Sequence, residues 1–288
     1  MSIAPAINKW FVANRRDLPW RRAGFGAWGI LVSEIMLQQT PVARVIPRLE
    51  EWLARWPTPA ALADSPPGDA VRAWHRLGYP RRALNLHAAA VAITERHGGE
   101  VPADVPALLA LPGVGEYTAR AVAVFAYGLR HPVVDTNVRR VIARAIDGQA
   151  EAGPPSTRRD LAAMESLLPE DEADARLFNA AAMELGALVC TARTPRCSAC
   201  PIADQCRWRA EGYPAYIGTR AKTQTRFEGS DRQVRGLIMA ELRASDIPVT
   251  AAEIATVWAD ATQRDRALAG LLADGLVVAV GGGYELPS

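Results

Sequence analysis

The chain has 288 residues, 49% of them apolar, with eight tryptophans and a formal net charge of +2. Such a composition supplies a sizeable core and excludes an intrinsically disordered chain, and the small net charge means that any nucleic-acid binding must rest on local patches. Only two of its 33 basic residues are lysine, Lys9 and Lys222, so the chain between them has no amine for a Schiff base.

At the N-terminus no charged segment leads into an apolar run, and no later apolar stretch is long enough for a bilayer, so a cytoplasmic protein without membrane contact is expected. Helical periodicity or alanine-rich composition predicts helices over 28–39, 70–76, 81–97, 116–127, 138–146, 156–168 and 174–189. Proline and glycine punctuate them, as at Pro66-Pro67, Gly98-Gly99 and 112–115. No strand is predicted before residue 275. Residues 212–228 read as a linker. Helices over 231–244, 250–258 and 262–274 follow it, and a hairpin of 276–280 and 284–286 turns at Gly281–Gly283. Three helices and a hairpin resemble a winged-helix unit. The expected organisation is an all-α body over 1–211, the linker, and a small C-terminal domain over 229–288.

Four segments carry chemistry. Leu111-Pro-Gly-Val-Gly115 joins a short helix, capped by Asp104, to a longer one beginning near Glu116. Glycines at a helix entrance leave N–H groups bare, so Gly113, Val114 and Gly115 suit a phosphate, while a ligand-free tight turn is the plainer alternative. In WGILVSEIMLQQT, Glu34 lies in a largely apolar helix. Either it is buried, with a raised pKa suited to a general acid, or it lies on a narrow solvated stripe. Asp135, in VVDTNVRR, is a helix N-cap by position, compatible with a fixed carboxylate facing a cationic centre. A protonated glutamic acid and an ionised aspartate are the pairing that glycosidic bond cleavage uses.

The fourth segment holds every cysteine of the chain, Cys190, Cys197, Cys200 and Cys206, within seventeen residues and interleaved with Arg193, Arg196, Arg207 and Arg209. One short Cys-x2-Cys pair fits a 4Fe-4S cluster at least as well as zinc. The four histidines show no metal-binding spacing, and neither a P-loop nor a dinucleotide fingerprint appears.

Taken in order, the hairpin, Asp135 and C-x6-C-x2-C-x5-C resemble the endonuclease III superfamily of helix-hairpin-helix DNA glycosylases, from about Trp10 to Cys206. The resemblance implies a two-lobed helical body and a 4Fe-4S cluster on the four cysteines. SEIMLQQT resembles the MutY-type adenine glycosylase branch, which implies that Glu34 protonates a mispaired adenine while Asp135 stabilises the sugar cation, helped by Tyr117 and Asn137. By the same resemblance Leu77 and Tyr79 belong to a loop that wedges into the duplex. Gln39 and Thr40 would contact DNA, and Trp20, Arg21 and Glu184 would line the pocket for the flipped base. Bifunctional members carry a lysine where this chain has Tyr117, so no strand cleavage is expected. The 82 residues after Cys206 do not resemble the Nudix-like domain usual in that branch, which leaves open the choice between 8-oxoguanine and guanine opposite adenine. The expected partner is duplex DNA with A:G or A:8-oxoguanine pairs, bound by a nucleoid-associated monomer, with the C-terminal unit available to a repair or replication protein. Two other readings stand beside this one: a thymine or uracil mismatch glycosylase, and a non-catalytic iron–sulfur DNA-binding redox sensor.

Overall fold

The structure, a computed structural model, describes residues 2–219 and 226–288. Its helices are α1 (Ala4–Asn14), α2 (Ala27–Leu37), α3 (Val42–Arg55), α4 (Pro59–Ala63), α5 (Pro67–Ala73), α6 (Arg81–Arg96), α7 (Val105–Leu109), α8 (Glu116–Tyr127), α9 (Thr136–Ala145), α10 (Thr157–Glu165), α11 (Glu172–Leu188) and α12 (Arg207–Ala210). Beyond the linker come α13 (Asp231–Ala244), β1 (Val249–Thr250), α14 (Ala251–Thr256), α15 (Ala261–Ala273), β2 (Val278–Val280) and β3 (Gly283–Glu285). Part of the expected linker, residues 220–225 with Lys222, lies outside the described residues. Among the described residues no helix is long and apolar enough to cross a membrane.

Every predicted helix is present within a few residues, and among the described residues four more, α1, α3, α4 and α12, were not predicted. In α3 the interior Pro47 reads as a breaker in sequence, and α1 opens on Pro5, yet Val45, Leu49 and Trp52 of α3 and Ile7 and Phe11 of α1 are buried on one face each. Burial of those faces outweighs the local signal. The expectation of no strand before 275 is corrected by β1, which pairs antiparallel with β3 in a sheet of order β1-β3-β2. Two residues are too few for alternation to show. Thr250 also caps α14 through a capping box with Glu253, so its helical role masks its strand role. The order helix, strand, helix, helix, strand, strand is that of a winged helix.

The described chain divides into two compact units, and it passes between them within α2. In the first, Ile7 and Phe11 of α1 pack with Val141 and Ile142 of α9, Met164 of α10 and Phe178 and Leu185 of α11. Apolar residues at 138, 141, 142 and 145 give α9 the stripe that this packing needs. In the second, Trp52 meets Trp56 and Trp74 edge-on, with ring centres 4.6 and 5.6 Å apart. That unit also includes the C-terminal helices and sheet. There Gly68 N–H donates to Pro287 O at 2.7 Å, and Arg72 Nη1 to Arg243 O at 2.9 Å.

Candidate active site

In the second unit α2 delivers Glu34. The side chain is 4% exposed, between Leu31, Val32, Ile35 and Met36 that are all buried, so the solvated-stripe alternative does not hold. Past the end of α2 the exposed Gln39 adopts φ +58°. Thr40 is buried, and its hydroxyl donates to Leu77 O at 3.2 Å. Leu77 is buried and Gly78 turns the chain at φ +85°. Tyr79 is 43% exposed on left-handed backbone, φ +48°, a conformation that costs about 1–3 kcal/mol in a non-glycine residue.

One residue absent from the sequence reading holds these pieces together. Arg82, 8% exposed, donates from Nη1 to Ile35 O, Met36 O and Gln38 O, and from Nη2 to Thr40 Oγ1 and Gly78 O, both at 2.9 Å. It therefore binds the orphan carbonyls at the end of α2 to the loop that carries Tyr79. Burial lowers its pKa to about 10, which still leaves a cation at neutral pH. The signal available in sequence is a charge in the wrong place, an arginine in the first turn of a helix where the dipole disfavours cations. Gly113 has φ +75°, and a Cβ there would stand 2.6 Å from Asn85 Cβ, so the turn admits only glycine.

In the first unit Asp104 Oδ1 caps α7 by accepting Ala107 N–H at 2.9 Å. Val114 is buried, and Gly115 begins α8 with no side-chain cap and open space around its α-carbon. The first N–H groups of α8 thus lack a side-chain acceptor from the cap position, as a phosphate-binding helix entrance requires. One turn into α8, Tyr117 packs against Ala121, Val124 and Val133.

Asp135 is the N-cap of α9. Its Oδ1 accepts Val138 N–H at 2.7 Å and its Oδ2 accepts Asn137 Nδ2 at 2.7 Å. Asn137 Oδ1 in turn accepts Arg140 Nη2, which also donates to Gly186 O, and Arg140 Nε donates to Cys190 O, all at 2.7 Å. Burial raises the Asp135 pKa, while those donors and the Arg140 charge oppose the rise. A Cβ on Gly186 would stand 2.7 Å from Asn137 Cβ, so the approach of α11 to the start of α9 depends on that glycine, which sequence reasoning missed.

Glu184, 1% exposed, accepts Arg16 Nη2 at 2.7 Å and Arg21 Nη2 at 3.0 Å, together with the Arg16 backbone N–H at 2.9 Å. Burial alone would raise its pKa, but the two guanidinium groups outweigh it and hold the carboxyl at about 2. The 3-10 turn Pro19–Arg21 is thereby tied to α11, with Trp20 half-buried in it. Arg16 was not among the expected site residues.

The four cysteines line one small cavity with Arg144 and Trp208. Burial pushes the Cys200 thiol up to about 11 and raises Cys190 as well, so four thiolates need a cationic group among them to exist at neutral pH. Arg144 is buried under the loop, 4.7 Å from the Trp208 ring, and donates to Cys190 Sγ, Thr191 O and Ala192 O. Of the loop arginines, Arg207 pairs with Glu211 at 2.6 Å and Arg209 with Asp204 at 2.7 Å, which commits both charges locally.

Comparison with known proteins bears on both units. The profile of the HhH-GPD superfamily of base excision DNA repair proteins matches residues 32–164, and that of the iron–sulfur binding domain of endonuclease III matches 190–206. The four cysteines therefore form an iron–sulfur site. A Mycolicibacterium smegmatis protein named adenine DNA glycosylase is 56% identical over 96% of this chain and 93% of its own length. One of the same name from Mycobacterium tuberculosis is 55% identical over 96% and 91%. The structure of a thermostable thymine-DNA glycosylase superposes on 72% of this chain and 95% of its own, with TM-score 0.66 and 28% identity.

Proposed function

The chain belongs to the HhH-GPD superfamily of base excision DNA repair proteins, and from that premise we propose that it is a monofunctional adenine DNA glycosylase acting on adenine opposite guanine or 8-oxoguanine. The observation that carries this reading is the 56% identity to a protein named for that activity, which runs through 96% of the chain.

The chemistry follows from the residues. A mispaired adenine leaves the stack at a cost of about a few kcal/mol, less than a paired one, and Tyr79 on its exposed loop fills the gap. The Glu34 carboxyl, shielded from water in an apolar helix, gives its proton to N7 of the base and turns it into a leaving group. Asp135, fixed by Val138 and Asn137, stabilises the positive charge that develops on the sugar. Asn137 and Tyr117 hold that geometry, and water then attacks C1′. Trp20 and Arg21, anchored on Glu184, line the base pocket, Gln39 and Thr40 contact the DNA, and the bare N–H groups at Gly113–Gly115 bind a backbone phosphate. When bound, the 4Fe-4S cluster neutralises and cross-links the thiolates of Cys190, Cys197, Cys200 and Cys206. Tyr117 stands where a strand-cutting relative would carry a nucleophilic amine, and the sequence has no lysine between Lys9 and Lys222. The product is an abasic site in an unbroken strand.

Single-turnover base release from A:8-oxoguanine, A:G and T:G duplexes, each with and without alkali, tests this. Adenine release with strands cut only after alkali is expected. Release of thymine alone would shift the reading to the thymine-mismatch branch, and cutting without alkali would remove the monofunctional assignment.

A further inference from the structure

Within the second unit α3, α5 and α13 line an open groove with Trp52 at its base. Its cations outnumber its acids. Arg55 is paired with Asp69 at 2.6 Å, and Glu51 serves Arg48 at 2.5 Å and approaches His75 at 3.9 Å. Arg76 and Arg243 line the same groove and form no ion pair among the described residues. Burial, and then the neighbouring Arg76, lower the pKa of Arg243. Two guanidinium groups on one groove without a carboxylate partner have their complement in an oxyanion.

We propose that this groove holds a backbone phosphate of the DNA duplex, gripped by Arg76 after α5 and Arg243 on α13. The proposal rests on the DNA-repair reading above and gives the C-terminal unit a part in it. One feature favours nucleic acid over an acidic protein. Arg76 lies three residues before the exposed Tyr79, so a duplex wedged open at Tyr79 carries its phosphates past Arg76.

The test is binding of the full chain to an undamaged duplex, by fluorescence anisotropy, from about 50 to 200 mM salt, the range over which phosphate contacts dominate the salt dependence. Three variants are compared with wild type: the double Arg76→Ala/Arg243→Ala, Ala240→Glu, and Arg158→Ala. Ala240→Glu places a carboxylate in the groove from an exposed helical position and so preserves the fold. Arg158→Ala on α10 is the charge control. Both groove variants should bind about tenfold more weakly, with a log–log salt slope shallower by about 0.9 for each phosphate lost, and the control should match wild type. Groove variants that keep the slope of the control would overturn the proposal. So would a polyglutamate peptide that binds wild type, but not Ala240→Glu, more tightly than the duplex does. Adenine release from A:G, followed in parallel at saturating protein, separates the two readings. A lost slope in a protein that releases no adenine keeps the groove and removes the adenine assignment, whereas release with unchanged slopes does the reverse.

Discussion

Three carboxylates of this chain, the buried Glu34 and Glu184 and the half-buried Asp135, are withdrawn from water for different ends, and each can be tested singly. Glu184 is saturated by Arg16 and Arg21, with its pKa lowered to about 2. A lowered pKa stabilises the fold above the ordinary value of 4.5, and that stability is lost as pH falls from there toward about 2. Glu184→Gln should therefore cost about 2–4 kcal/mol at pH 7, and urea denaturation should show the difference from wild type shrinking as the medium is acidified below the ordinary value. Asp135 has the opposite sign. Its raised pKa stabilises only below the ordinary 3.8, and that contribution is gone once pH rises through the folded value, so the ionised group strains the fold at neutral pH. Asp135→Asn keeps an acceptor for Val138 N–H; it should melt at or above the wild-type temperature and yet release no adenine. A markedly lower melting temperature would reduce Asp135 to a helix cap. Glu34→Gln should bind duplex normally and slow release by about 10²–10⁴-fold; release at the wild-type rate would remove it from the chemistry.

At the scale of elements, the two glycines of the hairpin have different duties although the sequence presents them alike. Gly113 sits at φ +75° with Asn85 Cβ in the way of any side chain, and Gly115 has φ −101° and open space. Gly113→Ala should cost about 2 kcal/mol or more in urea denaturation, and Gly115→Ala under about 0.5. Equal costs would mean that the turn tolerates side chains generally. The α2 terminus and the Tyr79 loop depend on Arg82 in a way no periodicity reveals. Lysine there retains the charge but loses the planar fork that serves five acceptors, so Arg82→Lys should destabilise by about 2–3 kcal/mol and weaken duplex binding. Unchanged duplex affinity in a destabilised Arg82→Lys protein would confine the residue to a structural role.

At the scale of the whole molecule, each of the two units is secured by contacts distant in sequence. In one unit Arg140 joins the Asp135–Asn137 pair to the backbone of Cys190. Chelation of iron should therefore leave most of the helical circular dichroism intact, because only Cys190 and Cys200 pack against the α1–α9–α11 core and both are half-buried, and still slow adenine release, while limited proteolysis begins within 190–206. Unchanged release after chelation would make the cluster loop indifferent to the reaction. In the other unit a Cβ on Gly68 would stand 2.5 Å from Pro287 O, so Gly68→Ala should release the last residues of the chain and lower the melting temperature.

The sequence by itself determined the helical class, the position of nearly every helix, the hairpin, the four ligating cysteines and the capping role of Asp135. Each of these is a local property, written in the spacing of apolar residues, glycines, caps and thiols over a few turns. It missed α1, α3 and β1, where tertiary burial or pairing overrides a weak or contrary local signal, and the helices α4 and α12, which at five and four residues are too short to show a period. Only the tertiary structure decided that Glu34 is buried, that Arg16 and Arg21 both serve Glu184, that Gly186 lets α11 approach Asn137, and that Arg82 organises the Tyr79 loop. Burial and hydrogen-bond geometry belong to pairs of residues brought together from distant parts of the chain, and such pairs leave no period in the sequence.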